Sequence, residues 1–551
     1  MKTKLIIFLI LPFSCILSAL AGSATWNPNP ISDDWNTAAN WTPETVPNDP
    51  TDVATFGNSN MAAISLSAQT HVDAIIFDPD AVGYTINTGG HGLAFFGAGV
   101  VNNSANEQNF VTGLQDGGII AFRNNATAAN AVFSVYGDAF QPYVYFYDNA
   151  TAGDATFFNY GGFGGAVTWF FDSATAGNAT FNNFSGGNGA NDGVTVFEDE
   201  SSAATATIFC NGGDTVFHKH STAANSTLIA NLDTIFFLEH STAGEAMVVA
   251  NGARSSRAGF GSILFLNGNA SAGDATLVAN GGQNGGQGGL IAFFAETRGS
   301  KARVQVFGNG LLDISSHNAL APMSIGSLEG TGAVALGANS LALGRNHLST
   351  TFSGIISDGN NGGSLTKVGT GTLTLAAANT YTGGTTVASG ILLVNNGGGS
   401  GTGTGAVTVN GGTLGGSGII AGAATVETGA FLAPAAETNK QVTLTLQSRL
   451  TLQAGATYTY TFKANTNQKR ADLIVANGVT INGALITLQG KVKGTVTLGT
   501  VLTVISNTSA SPITGTFANL ADGAIVNVNG NNLQASYSGG DGNDLTLTVV
   551  P

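Results

Sequence analysis

This 551-residue chain has little charge and little cysteine. Charged residues make up 9% of it, where an average domain carries about 25%. Lys and Arg number 18 against 33 Asp and Glu, giving a net charge of −15. Phosphate recognition needs clustered cations, so this balance argues against a nucleic-acid partner. The two cysteines are Cys15 and Cys210. Cys15 falls in the leader described below, so the mature chain holds one thiol and no internal disulfide, and its stability must come from strand pairing and packing. Beyond residue 21 there is no run of about 18 uncharged apolar residues, so no integral membrane segment is expected in the mature chain. There is also no sustained 3.6-residue apolar period, which predicts a nearly helix-free protein. A Ser/His/Asp motif, a phosphate loop and a zinc-type cysteine set are all missing, and no cofactor is expected.

What remains is glycine, 78 residues of it, and apolar residues at 43%. Apolar residues that plentiful exclude a disordered chain. With abundant Asn and Thr, they suit short strands joined by tight turns. At the start, Lys2 and Lys4 precede the apolar run Leu5 to Leu17, and Ala19-Leu20-Ala21 supplies small residues. This pattern predicts a secretory signal over residues 1–21. The run is shorter than the ~20 residues a membrane span needs. Pro12-Phe13-Ser14 before Cys15 lack the leucine that lipoprotein signals favour.

The middle of the chain repeats itself. FYDNATAGDATFFNYGG from Phe146, FFDSATAGNATFNNFSGG from Phe170, FLEHSTAGEAMVVANG from Phe237 and LNGNASAGDATLVANGG from Leu266 are copies of one unit, with weaker copies at Phe122, Phe197, Phe217 and Phe293. Each has an apolar strand, an acid, a Ser/Thr-Ala-Gly turn and a second strand closed by Asn-Gly-Gly or a variant of it. The leading residues are 24, 24, 27, 20, 20, 29 and 27 positions apart. A unit this short cannot bury its own apolar face, and stacking neighbours can, so the pattern predicts a β-solenoid. Phe122, Phe146, Phe170, Phe197, Phe217, Phe237, Leu266 and Phe293 then form a core ladder at about 4.8 Å spacing. The competing reading of that ladder is an exposed aromatic track for sugars. Residues 22–110 hold three of the four Trp, namely Trp26, Trp35 and Trp41, and are read as a cap leading into the first coils, because a solenoid's open end needs covering.

Residues 364–394, SLTKVGTGTLTLAAANTYTGGTTVASGILLV, closely resemble the autotransporter-associated β-strand repeat, also called the passenger-associated transport repeat. The pieces that carry the likeness are Leu365-Thr366-Lys367, Gly369 to Leu375, Asn379 to Thr385 and Gly390-Ile391-Leu392. The segment AVTVNGGTLGGSGII from Ala406 and the ending YSGGDGNDLTLTV from Tyr537 resemble the tails of large secreted proteins with this repeat, and the Trp-rich start resembles their beginnings. The resemblance implies a right-handed parallel β-helix passenger outside a bacterial cell or on its surface. Unlike a full autotransporter, the chain ends in polar sequence with few aromatics, and not in the ~10-residue strands and aromatic girdles of a membrane β-barrel.

Three constellations bear on chemistry. Two positions after the leading residue stand Asp148, Asp172, Asp199, Lys219 and Glu239. Stacked carboxylates repel, raise one another's pKa, and suit acid–base work on a glycan. The simpler reading is solvated turn acids, favoured because a catalytic pair is a single special place and this pattern is periodic. His220 and His240 occupy equal places in adjacent copies with His218 nearby, a potential zinc or copper site. The same position elsewhere is Asn125, Asn149, Ser173, Glu200 or Asn269, which favours a surface polar ladder. Gly539-Gly540-Asp541-Gly542-Asn543-Asp544 resembles a calcium-binding nonapeptide, but such sites need consecutive repeats. A turn is the preferred reading.

The expected fold is all-β: a parallel β-helix or β-solenoid with an N-terminal cap and a C-terminal β domain. The expected divisions are a signal peptide at 1–21, the cap and first coils at 22–110, imperfect 20–29-residue repeats at 111–312, a Gly-rich solenoid with the resembling repeat at 313–420, and a C-terminal β domain at 421–551. The expected function is a secreted or cell-surface structural or adhesin-like protein that displays a binding surface, not an enzyme. Its partner class is an extracellular glycan or cell-surface component. No catalytic, cofactor or metal residue is assigned. The alternative is a polysaccharide lyase or glycoside hydrolase on a β-helix.

Overall fold

A computed structural model describes residues 22–551 except 114–116, 188, 319–320, 439, 465–468 and 493. The expected signal peptide lies outside the described residues. The chain is all-β, a parallel β-solenoid of about 18 turns. Among the described residues the helical content is one short 3-10 turn, Ala38–Asn40, and no helix is long and apolar enough to cross a membrane.

The strands are short because each coil must turn three corners within one repeat. Two of them fall in each coil of the repeat region. One joins a first sheet of 16 strands that begins with Trp41–Thr42 against Ala24–Trp26 and ends at Ile355–Ser357. The other joins a second sheet that runs in parallel register from Ala63–Ser65 to Leu485–Val492. The third side of these coils is narrow. It is a ladder of single bridges through Thr127, Thr151, Thr175, Ser202, Thr222, Thr242 and Ser271. From Met323–Ile325 onward a third sheet of nine strands takes over this role and continues to Thr514–Thr516. A fourth, of seven strands, starts at Ile419–Ile420 in parallel and finishes with antiparallel Val501–Asn507, Asp544–Val550, Asn531–Gly539 and Ile525–Val528. The parallel stacking thus passes residue 421 without a break.

Inside, two phenylalanine stacks meet at right angles. On the first sheet Phe95, Phe122, Phe146, Phe170, Phe197, Phe217, Phe237, Phe265 and Phe293 lie ring on ring at 4.5–4.9 Å. On the second, Phe110, Phe133, Phe157 and Phe181 stack at 4.7–5.0 Å. Phe146 meets Phe157, and Phe170 meets Phe181, edge to face at 76° and 80°. Both geometries are favourable for aromatic rings. The ladder is core, with every ring 0–1% exposed, and that overturns the sugar-track alternative. It also corrects one rung. Phe265 and not Leu266 pairs with Phe237 and Phe293. Successive strand residues face opposite sides, so Leu266 points outward, and both neighbouring steps become 28 residues.

The alanines of the Ala-Thr-Ala-Gly turn fill the third corner. Ala150, Ala152 and Ala155, with their equivalents in other coils, are fully buried. The threonine or serine between them accepts the N–H two residues on, at 2.9–3.1 Å. Gly244, at φ 60°, shows why glycine recurs there: a Cβ would lie 2.8 Å from the carbonyl oxygen of Ala224. At the start of the first sheet Trp26, Trp35 and Trp41 are buried around Phe56, with ring centroids 5.5–6.0 Å from it, and Trp41 meets Trp26, Trp35 and Phe56 edge to face.

Candidate binding surface

The residues two positions after the leading Phe sit in the same left-handed turn. Asp148, Asp172, Asp199, Lys219 and Glu239 have φ between 51° and 59°, a conformation Asn and Asp tolerate better than most residues. Each acid reaches back one coil. The Asp148 carboxylate accepts the N–H of Asn124, Asp172 that of Asp148, Asp199 that of Asp172, and Glu239 that of Lys219, at 2.8–3.2 Å. Lys219 interrupts the row and pairs with Asp199 at 2.8 Å and Glu198 at 3.2 Å. The hydrogen bond from Lys219 holds the Asp199 carboxyl below its ordinary range. The row is a chain of backbone caps at the solvent edge.

His220 and His240 stack at 5.2 Å with rings 9° from parallel, and both are exposed. Among the described residues no three His, Cys, Asp or Glu side chains converge as a metal site. The Gly539–Asp544 segment is the turn of a hairpin between two C-terminal strands. There Asp544 accepts the N–H of Asn507 at 2.8 Å.

A second pair of acids is half-buried. Asp214 enters the first sheet beside Asp233 and accepts the N–H of Thr234 at 3.1 Å. Burial, reinforced by the Asp233 charge, pushes its carboxyl up to about 7. Nearby, Asn159, Asn183 and Cys210 occupy one inward ladder position and bond across the core to Thr168, Thr195 and Thr215. Burial pushes the Cys210 thiol up to about 12, so it is an inert thiol.

Two outward surfaces were not singled out from sequence. On the first sheet Tyr145 lies among Tyr143, Tyr147, Trp169 and Phe171, with centroids 4.9–6.4 Å away. Arg123 lies 4.5 Å over Tyr147, a cation–π contact. The signal was the run YVYFY, in which Tyr143, Tyr145 and Tyr147 alternate with inward Val144 and Phe146. On the second sheet the closing Asn of successive repeats forms an amide ladder. Asn231 donates to Asn211, Asn251 to Asn231 and Asn280 to Asn251, each at 2.8 Å. This ladder lines a groove of about 560 Å³ with Leu232, Arg254 and Gln283. Its signal was the recurrent Asn-Gly, which on sequence grounds reads as a turn.

The segment with the specific motif gives each motif residue a job. Its four strands, Ser364–Lys367, Thr372–Leu375, Thr385–Val387 and Ile391–Val394, form two stacked half-coils with Leu365 on Thr385 and Leu373 on Leu392. Asn379 accepts the N–H of Ile356 from the coil before and donates to Gly401 of the coil after, at 2.8 and 2.6 Å. Tyr381 is fully buried, with its hydroxyl 2.6 Å from that of Thr385. Thr382 binds Asp358 through backbone N–H and hydroxyl. Lys367 is 1% exposed. Its ammonium donates to the carbonyls of Val368, Gly369 and Ser389 at 2.6–3.3 Å, and burial pushes its pKa down to about 8.

Residues 365–394 match the family described as Passenger-associated-transport-repeat. The chain is also 40% identical over 116 residues to "Adhesin BmaC autotransporter" of Brucella suis biovar 1 (strain 1330). That match takes in 21% of this chain and 3% of the relative's length. The molecule is therefore a β-solenoid that carries a passenger-associated-transport repeat and shares a stretch of sequence with an autotransporter adhesin.

Proposed function

We propose that the protein is a structural, adhesin-like rod, exported from a bacterium, that presents the flanks of its solenoid to a glycan or cell-surface component and carries out no catalysis. The observation that supports this most is the use of the periodic acids. A glycosidase needs two carboxyls flanking one bond, one of them with a raised pKa in a dry pocket. Here the acids are spent one after another on the backbone of the neighbouring coil, at a wet edge. The passenger-type repeat and the partial likeness to a protein named as an adhesin point the same way. The test is to present purified residues 22–551 to immobilised glycans and to cell surfaces, with sugar release assayed in parallel. Saturable adhesion without release supports the reading. Release of sugar fragments, or no adhesion to any surface, refutes it.

A further inference from the structure

We infer that the groove along the asparagine ladder is a binding site for an acidic oligosaccharide. This rests on the adhesive reading above and names its ligand class.

The ladder occupies one outward position at the end of the second-sheet strands. Its upstream rungs are aromatic, Tyr136, Tyr160 and Phe184, stacked at 4.7 and 5.2 Å. From Phe184 the position passes to Asn211 and then to Asn231, Asn251 and Asn280. Within the ladder each amide bond uses one hydrogen of a donor and one lone pair of an acceptor. An Asn side chain has two of each, so each central rung keeps a donor and an acceptor. These rungs line the groove and are half-buried. A row that offers a donor and an acceptor at every rung, at the ~4.8 Å strand spacing, matches a ligand whose hydroxyls also donate and accept in series. Leu232, 45% exposed on the groove wall, provides an apolar contact for the C–H face of a sugar.

The acidic preference comes from Arg254. It lines the groove, and the loop that carries it also carries Arg257, in a chain with 18 basic residues. Among the described residues neither arginine forms an ion pair. Asn284 takes only the Arg254 backbone carbonyl. The guanidinium is therefore unengaged beside a row of amides, and its planar fork fits a carboxylate in bidentate fashion. Among the described residues no acid lines the groove to compete for it.

The test uses purified residues 22–551 with two probes, an oligogalacturonide and the same oligosaccharide methyl-esterified at every carboxyl. The wild type is expected to bind the acid form about tenfold or more tightly than the ester, as loss of a charge-assisted contact implies. Arg254→Gln lies on an exposed loop and should fold normally. It is expected to bring acid-form affinity down to that of the ester. Asn231→Leu should weaken both probes, with its folding checked by thermal melting. If Asn231→Leu does not fold, Arg254→Gln decides alone. Equal binding of acid and ester, or acid binding unchanged by Arg254→Gln, overturns the acidic assignment. No binding of either probe overturns the groove as an oligosaccharide site. If the wild type and Arg254→Gln adhere equally to cell surfaces, the groove inference falls and the adhesive reading stands.

Discussion

The carboxylate of Asp172 accepts the backbone N–H of Asp148, the residue 24 positions earlier in the equivalent turn, at 3.0 Å. The same relationship joins Asp199 to Asp172 and Asp148 to Asn124. It explains why an acid follows the Phe in successive coils: the side chain that tolerates a left-handed turn also satisfies the turn beneath it.

If capping is the role of these acids, an acceptor matters and a charge does not. Asp172→Asn, which keeps an oxygen acceptor, is expected to leave the unfolding midpoint nearly unchanged. Asp172→Ala is expected to cost about 0.5–1.5 kcal/mol, the usual net worth of a hydrogen bond. Denaturant unfolding of the two variants side by side checks this. An equal loss in both would assign the effect to charge.

The phenylalanine ladder makes a larger claim. Phe217 is 0% exposed and stacked between Phe197 at 4.7 Å and Phe237 at 4.9 Å. Phe217→Ala should therefore destabilise the repeat region by about 3–5 kcal/mol, as truncation of a fully buried ring does. Phe217→Leu should cost less. Unfolding curves followed by near-ultraviolet signal and by hydrogen exchange at flanking coils would measure both.

Much of this was legible in the sequence, for a physical reason. A solenoid repeats its core, so the Phe spacing and the Ala-Thr-Ala-Gly turns report the stacking directly. The rung at 265 was misplaced because Phe265 and Leu266 are both apolar, and only the pleat decides which faces in. The acids' partners were not legible, since the N–H that each one caps belongs to another coil. Nor was the asparagine ladder, whose members meet only after stacking, and the outward tyrosines, though their alternation shows in YVYFY, meet Trp169 and Phe171 only through the next coil. Lys367 was the least predictable of all: lysine is almost never fully buried, and nothing in LTKVG signals that its ammonium will hold three carbonyls.

That lysine predicts a pH effect. Its folded pKa of about 8 lies below the unfolded value of about 10.4. Between these limits the unfolded chain binds the extra proton, so stability rises with pH across the window. The cost of burying the charge is present in full below about 8. Between pH 8 and 10 the stability of the wild type is expected to rise relative to Lys367→Met, which lacks the titrating group. Parallel unfolding curves at several pH values would show it, and a constant difference would mean that Lys367 is not buried as a charge.

The role proposed for the acid row is to build the rod and not to catalyse. It is tested most directly by incubating the wild type, Asp172→Asn and Asp199→Asn with a panel of acidic and neutral polysaccharides and measuring newly released reducing or unsaturated ends. No turnover is expected from any of the three proteins. Wild-type turnover that both single changes abolish, with their folding intact, would contradict it and make the protein an enzyme.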